Sequence, residues 1–167
     1  DERIASFYNN LSLLYQEMEQ FERAVACQKR ALEIVTVLDD KIKIAITNSN
    51  LGASLLQLGR TQEAIYHLEV ALEIFNQSDE KDFHYNAAML AMGNAQFTLG
   101  NLEEARKHYQ IALKEQFKHC GKSDAFYRIL ENLNIVDGMH ICVRKDISMV
   151  ELSKKLVEMI WLKPIIV

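Results

Sequence analysis

A small residue, an Ala twelve places on and a second Ala seven beyond that recur three times in this chain, as Ser12/Ala24/Ala31, Gly52/Ala64/Ala71 and Gly93/Ala105/Ala112, at intervals of 40 and then 41 residues. A fixed period of this length constrains the fold more than any other feature. It marks supersecondary units, each of which leaves an apolar face that only its neighbour can cover. The units are helical, because Ile65, Leu68, Leu72 and Phe75 repeat at helical spacing, no comparable stretch alternates with a period of two, and Pro164 is the only proline. Gly59-Arg60-Thr61 and Gly100-Asn101-Leu102 divide two units into two helices each, with Gly suited to the left-handed residue that ends a helix. Glu19 takes that place in the first unit, at a cost of roughly 1 kcal/mol.

The spacing predicts helices over 2–18 with 21–38, 41–58 with 61–76, and 80–99 with 102–119, each pair an antiparallel hairpin. The units then span 1–39, 40–78 and 79–120. Gly52 and Gly93 fall inside helices, where each costs about 1 kcal/mol relative to Ala. Close approach of the second helix gives the reason, with Ala64 and Ala105 as the opposing small residues. After residue 120 the pattern decays: Asp124–Val136 aligns as the first helix of a degenerate fourth unit, 121–138, but Gly138 arrives early and no Ala-rich second helix follows. In the remaining segment, 139–167, Met139–Arg144 reads as a loop or a short strand. Ser148-Met149-Val150-Glu151 has the form of a capping box opening an amphipathic helix over about 148–162, ahead of Pro164. Its apolar face, carried by Val150, Leu152, Leu156, Val157, Ile160 and Trp161, has three destinations open to it: the end of the repeat stack, the chain's own groove, or a second chain in a homodimer.

The runs Asn50-Leu51-Gly52, Leu55, Gly59, Ala64, Leu68 and Ala71-Leu72-Glu73-Ile74, and again Met92-Gly93, Leu99-Gly100, Leu102-Glu103-Glu104-Ala105, Tyr109 and Ala112-Leu113, resemble tetratricopeptide repeats; Asn9-Asn10-Leu11 through Ala31-Leu32-Glu33-Ile34 is similar. The period exceeds the family's usual value of about 34. It resembles the long-period branch found in kinesin light chains, in the spindle adaptor that binds Gα subunits and in bacterial regulators that sense peptides. The resemblance implies an all-α, right-handed superhelical solenoid of hairpins with a C-terminal capping helix, whose concave groove is lined by the first helix of each pair.

With Tyr8, Leu11, Ser12 and Tyr15 facing into the hairpin, helical spacing puts Ser6, Asn10, Leu13 and Glu17 on the groove side. The equivalent stripes are Ile46, Asn50, Ala53 and Gln57, then Ala87, Ala91, Asn94 and Thr98, then Arg128, Asn132 and Ile135, flanked by Asn9, Ser49, Leu90 and Phe97. Most are short and uncharged. Asn10, Asn50 and Asn94 are the candidates for gripping a peptide backbone, since an amide both donates and accepts. Arg128 is the only base in the stripe, so a clamp for a terminal carboxylate, as in the chaperone-binding branch, is not expected. The implied function is a non-catalytic scaffold holding a peptide or helix of a partner protein. The second reading is a peptide-sensing regulatory domain of a larger bacterial signalling protein.

Composition narrows the remaining classes. With 19 basic against 23 acidic residues the chain is no typical nucleic-acid binder. Residues 1–80 carry 13 acids and 7 bases, while 81–167 carry 10 acids and 12 bases. Cys27, Cys120 and Cys142 are odd in number and widely spaced, which favours a reducing, cytoplasmic setting over a disulfide framework. No apolar run approaches the roughly 20 residues that cross a bilayer, so no membrane partner is expected. A start at Asp1 and an end on Ile165-Ile166-Val167 read as an excerpt of a longer protein. His119-Cys120 with His140-x-Cys142 offers four zinc-type side chains at a spacing that fits no common finger, so no metal is expected. No glycine-rich phosphate loop or nucleophile elbow is present, and His67, His84 and His108 lack a spaced catalytic partner, so neither cofactor nor catalysis is expected.

Overall fold

The computed structural model describes residues 1–78 and 81–145, with side chains as far as Met139. They form seven helices: α1 (Glu2–Glu17), α2 (Phe21–Val37), α3 (Lys41–Gln57), α4 (Thr61–Gln77), α5 (Phe83–Thr98), α6 (Leu102–Cys120) and α7 (Asp124–Lys145). Each helix packs on the next, and α3 also packs on α5. The odd-numbered helices thus form one layer and the even-numbered ones the other. Among the described residues there is no strand.

Local chemistry sets the boundaries. Asp1, Asp40 and Asp82 cap α1, α3 and α5, their carboxylates accepting from the backbone N–H of Arg3, Lys43 and both His84 and Tyr85. The Asp82 cap places the start of α5 three residues after the predicted position. Inside each hairpin the turn is the same pair of bonds, Gly59 N–H to Leu56 O with Arg60 N–H to Leu55 O, and Gly100 N–H to Phe97 O with Asn101 N–H to Gln96 O. This is the Schellman arrangement, whose left-handed residue is Gly59 at φ 72° and Gly100 at φ 78°. Glu19 adopts it at φ 56°, as its position requires, and Asp39 repeats it between α2 and α3 at φ 53°.

The small residues lie at the contacts. Ala24, Ala31, Ala64, Ala71, Ala105 and Ala112 are all fully buried. The partner of each in-helix glycine is not the opposing Ala side chain, however. A Cβ added at Gly52 would lie 2.6 Å from Leu68 Cγ and 3.2 Å from Ala64 O, and one at Gly93 would lie 2.6 Å from the Tyr109 ring. Gly52 and Gly93 are seats for a large side chain one turn along the second helix, and the alanines let the backbone come near enough to place it.

Gly138 does not end α7, which continues through 139–145. The loop or strand expected over Met139–Arg144 is therefore helix. One Gly within a helix costs only about 1 kcal/mol, and a neighbouring apolar face can outweigh that. The helix expected over 148–162 lies outside the described residues.

The first unit is built differently from the next two. Where α5 faces α3 it places Ala88 and Ala95, both fully buried. At the corresponding places facing α1 stand Thr47 and Ser54, which accept from Asn9 Nδ2 at 3.2 Å and Gln16 Nε2 at 2.7 Å. The position held by Leu68 and Tyr109 is Gln28 in this unit, fully buried with neither carboxamide atom hydrogen-bonded. The residue equivalent to Gly52 and Gly93 is Ser12, also fully buried, whose hydroxyl donates to its own helix at Asn9 O. Stranding a buried polar group costs about 1–3 kcal/mol. Gln28→Met, equal in length and without the amide, is expected to raise the unfolding free energy by about 1–2 kcal/mol in urea titration; a fall would show that Gln28 has a partner in solution.

Candidate functional site

The expected site residues sort by environment along the layer of first helices. Ser6, Asn10, Leu13 and Glu17 are exposed on α1. On α3, Gln57 is exposed while Asn50 and Ala53 are half-buried. Asn94 and Thr98 are exposed on α5, and on α7 Arg128 is exposed and Asn132 half-buried. The flanking residues are less available. Ser49 is only 5% exposed, and Asn9 is engaged with Thr47 across the seam between units.

Part of this set converges. Gln57, Asn94, Phe97, Thr98 and Asn132 come together with Leu56, Tyr109 and Ile135 around a hollow of about 290 Å³ spanning α3, α5 and α7. A second hollow of about 360 Å³ is lined by Leu90, Ala125, Arg128, Glu131 and Asn132. Asn132 borders both, so they adjoin. The α1 residues and Asn50 border neither.

The first hollow has amide and hydroxyl groups on an apolar base. Tyr109 rises into it from α6 with its ring against Gly93, and its hydroxyl donates to Asn94 Oδ1 at 2.7 Å. That bond holds the Asn94 carboxamide with its NH₂ as the group left to donate. Thr98 Oγ1 donates in turn to Asn94 O at 2.9 Å. Burial pushes the Tyr109 phenol up to about 12. Sequence reasoning did not place Tyr109 or Leu56 in the site. The available signal was Tyr109 standing where the other units have Leu68 and Gln28.

A third hollow, about 510 Å³ and mostly apolar, lies between α2 and α4, lined by Leu32, Val37, Leu51, His67 and others. His67 Nδ1 is 2.7 Å from Asn48 Oδ1, and burial first, then the nearby Lys29 charge, lower its pKa. Among the described residues no three His, Cys, Asp or Glu side chains are placed to hold one metal ion. His140 and Cys142 are outside the described side chains. No described helix is long and apolar enough to cross a membrane.

Two sequence models of the tetratricopeptide repeat match the chain, at residues 3–77 and 87–119, together well over half of it. The chain belongs to the tetratricopeptide repeat family. Among curated proteins it is 30% identical over 148 residues to the regulatory protein RapG of Bacillus subtilis (strain 168), a match covering 84% of this chain and 39% of that protein. The chain therefore spans well under half of that relative's length. Among solved structures, BtubC (BKLC) from P. vanneervenii superposes with a TM-score of 0.74 at 20% identity, covering 98% of this chain and 67% of that one. The TPR-like repeats of a kinesin light chain from Podosopora anserina give 0.73 at 18% identity, covering 97% and 78%. These two likenesses establish the fold, an all-helical stack of the type shared with kinesin light chain repeats.

Tyr109 gives the site a readout. A phenol whose folded pKa lies above its unfolded value of about 10 contributes stability that is intact below pH 10 and is lost as pH rises towards 12. Tyr109→Phe is expected to cost about 1 kcal/mol at neutral pH. It is also expected to flatten the loss between pH 10 and 12, roughly 2–3 kcal/mol if the whole shift is expressed. Parallel denaturation curves for both proteins across that range would show the hydroxyl to be solvated.

Proposed function

We propose that this chain is a non-catalytic interaction module that holds a peptide segment or helix of a partner protein against its layer of first helices. The observation that carries this reading is the meeting of Gln57, Asn94 and Asn132 with Phe97 and Ile135 around one hollow, with a second beyond Asn132. Amides over an apolar floor suit a mixed polar and apolar segment: side chains fill the floor while the amides meet its backbone N–H and C=O groups. Asn50 and Asn10 extend the line of amides towards α1, so a long segment runs along the layer. Arg128 is the only base in the line, and it shares its hollow with Glu131, so a terminal carboxylate is a poor match. Cys27 and Cys120, both free thiols, fit a reducing cytoplasm.

The match to a bacterial regulatory protein favours a second reading on the same surface. There the chain is the sensor part of a larger signalling protein, and the bound peptide alters the stacking of the hairpins. In both readings the partner is protein. They differ in whether occupancy changes shape, which small-angle scattering with and without peptide reports.

Peptides selected from a random library on the immobilised chain test the shared claim. The expected result is that Asn50→Ala with Asn94→Ala weakens their binding at least tenfold, equivalent to about 1.4 kcal/mol, with the thermal melt shifted by no more than a few degrees. Undiminished binding to the double variant would place recognition elsewhere.

A further inference from the structure

In the hollow between α3, α5 and α7 one amide differs from the others. Asn94 Oδ1 accepts the Tyr109 hydroxyl at 2.7 Å, whereas Gln57 and Asn132, which line the same hollow, form no hydrogen bond among the described residues. The Tyr109 pairing has one sense. Tyr109 is 2% exposed, and its phenol proton meets no other acceptor among the described residues. If the carboxamide turned over to donate its NH₂ to the phenol oxygen, that proton would be stranded. Asn94 is therefore held as an acceptor towards Tyr109 and a donor outwards. Thr98, one turn on and exposed, is fixed the other way: its hydroxyl donates to Asn94 O at 2.9 Å and leaves its lone pairs to accept.

The pair is particular to this unit. One period earlier Ala53 stands for Asn94 and Leu68 for Tyr109, and one period before that Leu13 and Gln28 stand there. Packing against Gly93 needs the Tyr109 ring alone, so what the hydroxyl adds is its hold on Asn94. None of the side chains lining the hollow is charged. A carboxylate seated there would find no base, so the oxygen that suits Asn94 Nδ2 is a neutral amide carbonyl.

We propose that Tyr109 is a positioning residue that makes Asn94 a one-way donor, so that the hollow takes its peptide segment by a backbone carbonyl oxygen at Asn94, with Thr98 left to accept a neighbouring N–H. This rests on the reading of the chain as a peptide-holding module and deepens it. Asn94 sets the register of the bound segment, while Gln57 and Asn132 turn to suit what lies beside it.

The test uses the full chain and peptides selected on it from a random library of uncharged residues without Asn or Gln, both ends blocked, so that the backbone is the only source of carbonyl oxygens. Asn94→Ala is expected to weaken their binding about fivefold, the effect of losing one hydrogen bond. Asn94→Asp keeps the bond from Tyr109 but turns an acceptor towards the ligand carbonyl, and is expected to weaken binding about thirtyfold. Tyr109→Phe is expected to cost about threefold in the wild-type background and nothing further beside Asn94→Ala, with a circular-dichroism melt showing each variant folded at the assay temperature.

Asn94→Asp binding as well as Asn94→Ala or better would overturn the proposal, since an acceptor would then serve the ligand. So would a Tyr109→Phe loss of equal size in both backgrounds, which would make Tyr109 a packing residue of the hollow. Both results leave the peptide-holding reading standing. No binder from this library, where an unrestricted one yields them, would show that a charged or amide side chain is required and would also overturn the proposal. No binder from either would remove the peptide-holding reading itself.

Discussion

The stack depends on one repeated contact: a large side chain on the second helix of a hairpin seated where the first helix has almost none. Leu68 rests on Gly52 and Tyr109 on Gly93, each so closely that a single added carbon would lie 2.6 Å from its atoms. The contact fixes both the depth and the register of the hairpin, because only one residue on the first helix offers the space. The flanking alanines then let the next helix close over the pair, and the period of about 40 follows from repeating this arrangement with the same Schellman turn.

The same contact connects the fold to the surface where a partner is held. Tyr109 is long enough to pass over Gly93 and emerge between α5 and α7, where its hydroxyl fixes Asn94. Leu68 stops short and Gln28 finds no partner, so the hairpins differ in what they present despite sharing one backbone plan. The polar seam between α1 and α3 adds to that difference. There Asn9 and Gln16 of α1 bond Thr47 and Ser54 of α3, at the places where α5 puts buried Ala88 and Ala95.

Much of this was legible in the sequence because it is periodic. The glycines and alanines mark the hairpin contacts, Gly59 and Gly100 mark the turns, and Glu19 takes the left-handed conformation because its position demands it. Legibility failed where one residue serves a different purpose from its equivalents. Gly138 resembles a terminator but sits within α7, since glycine at that point costs less than the helix gains by continuing. Asp82 starts α5 through a carboxylate bond that hydropathy does not register. In the site, helical spacing assigned the exposed faces of α1, α3, α5 and α7. It did not reveal that Ser49 is buried, that Asn9 is tied to Thr47, or that a residue of the second helix, Tyr109, enters the hollow; those depend on how far particular side chains reach across a seam.

The most direct test of the seat is a double-mutant cycle between Gly52 and Leu68, measured by chemical denaturation. Helix propensity alone favours Gly52→Ala by about 1 kcal/mol in any background. The seat predicts the opposite in the wild-type protein, a net loss of about 1 kcal/mol from overpacking, with the favourable sign restored once Leu68→Ala has emptied the space. If Gly52→Ala stabilises the protein equally in both backgrounds, Leu68 does not rest on Gly52, and the account of how these hairpins are held together is wrong.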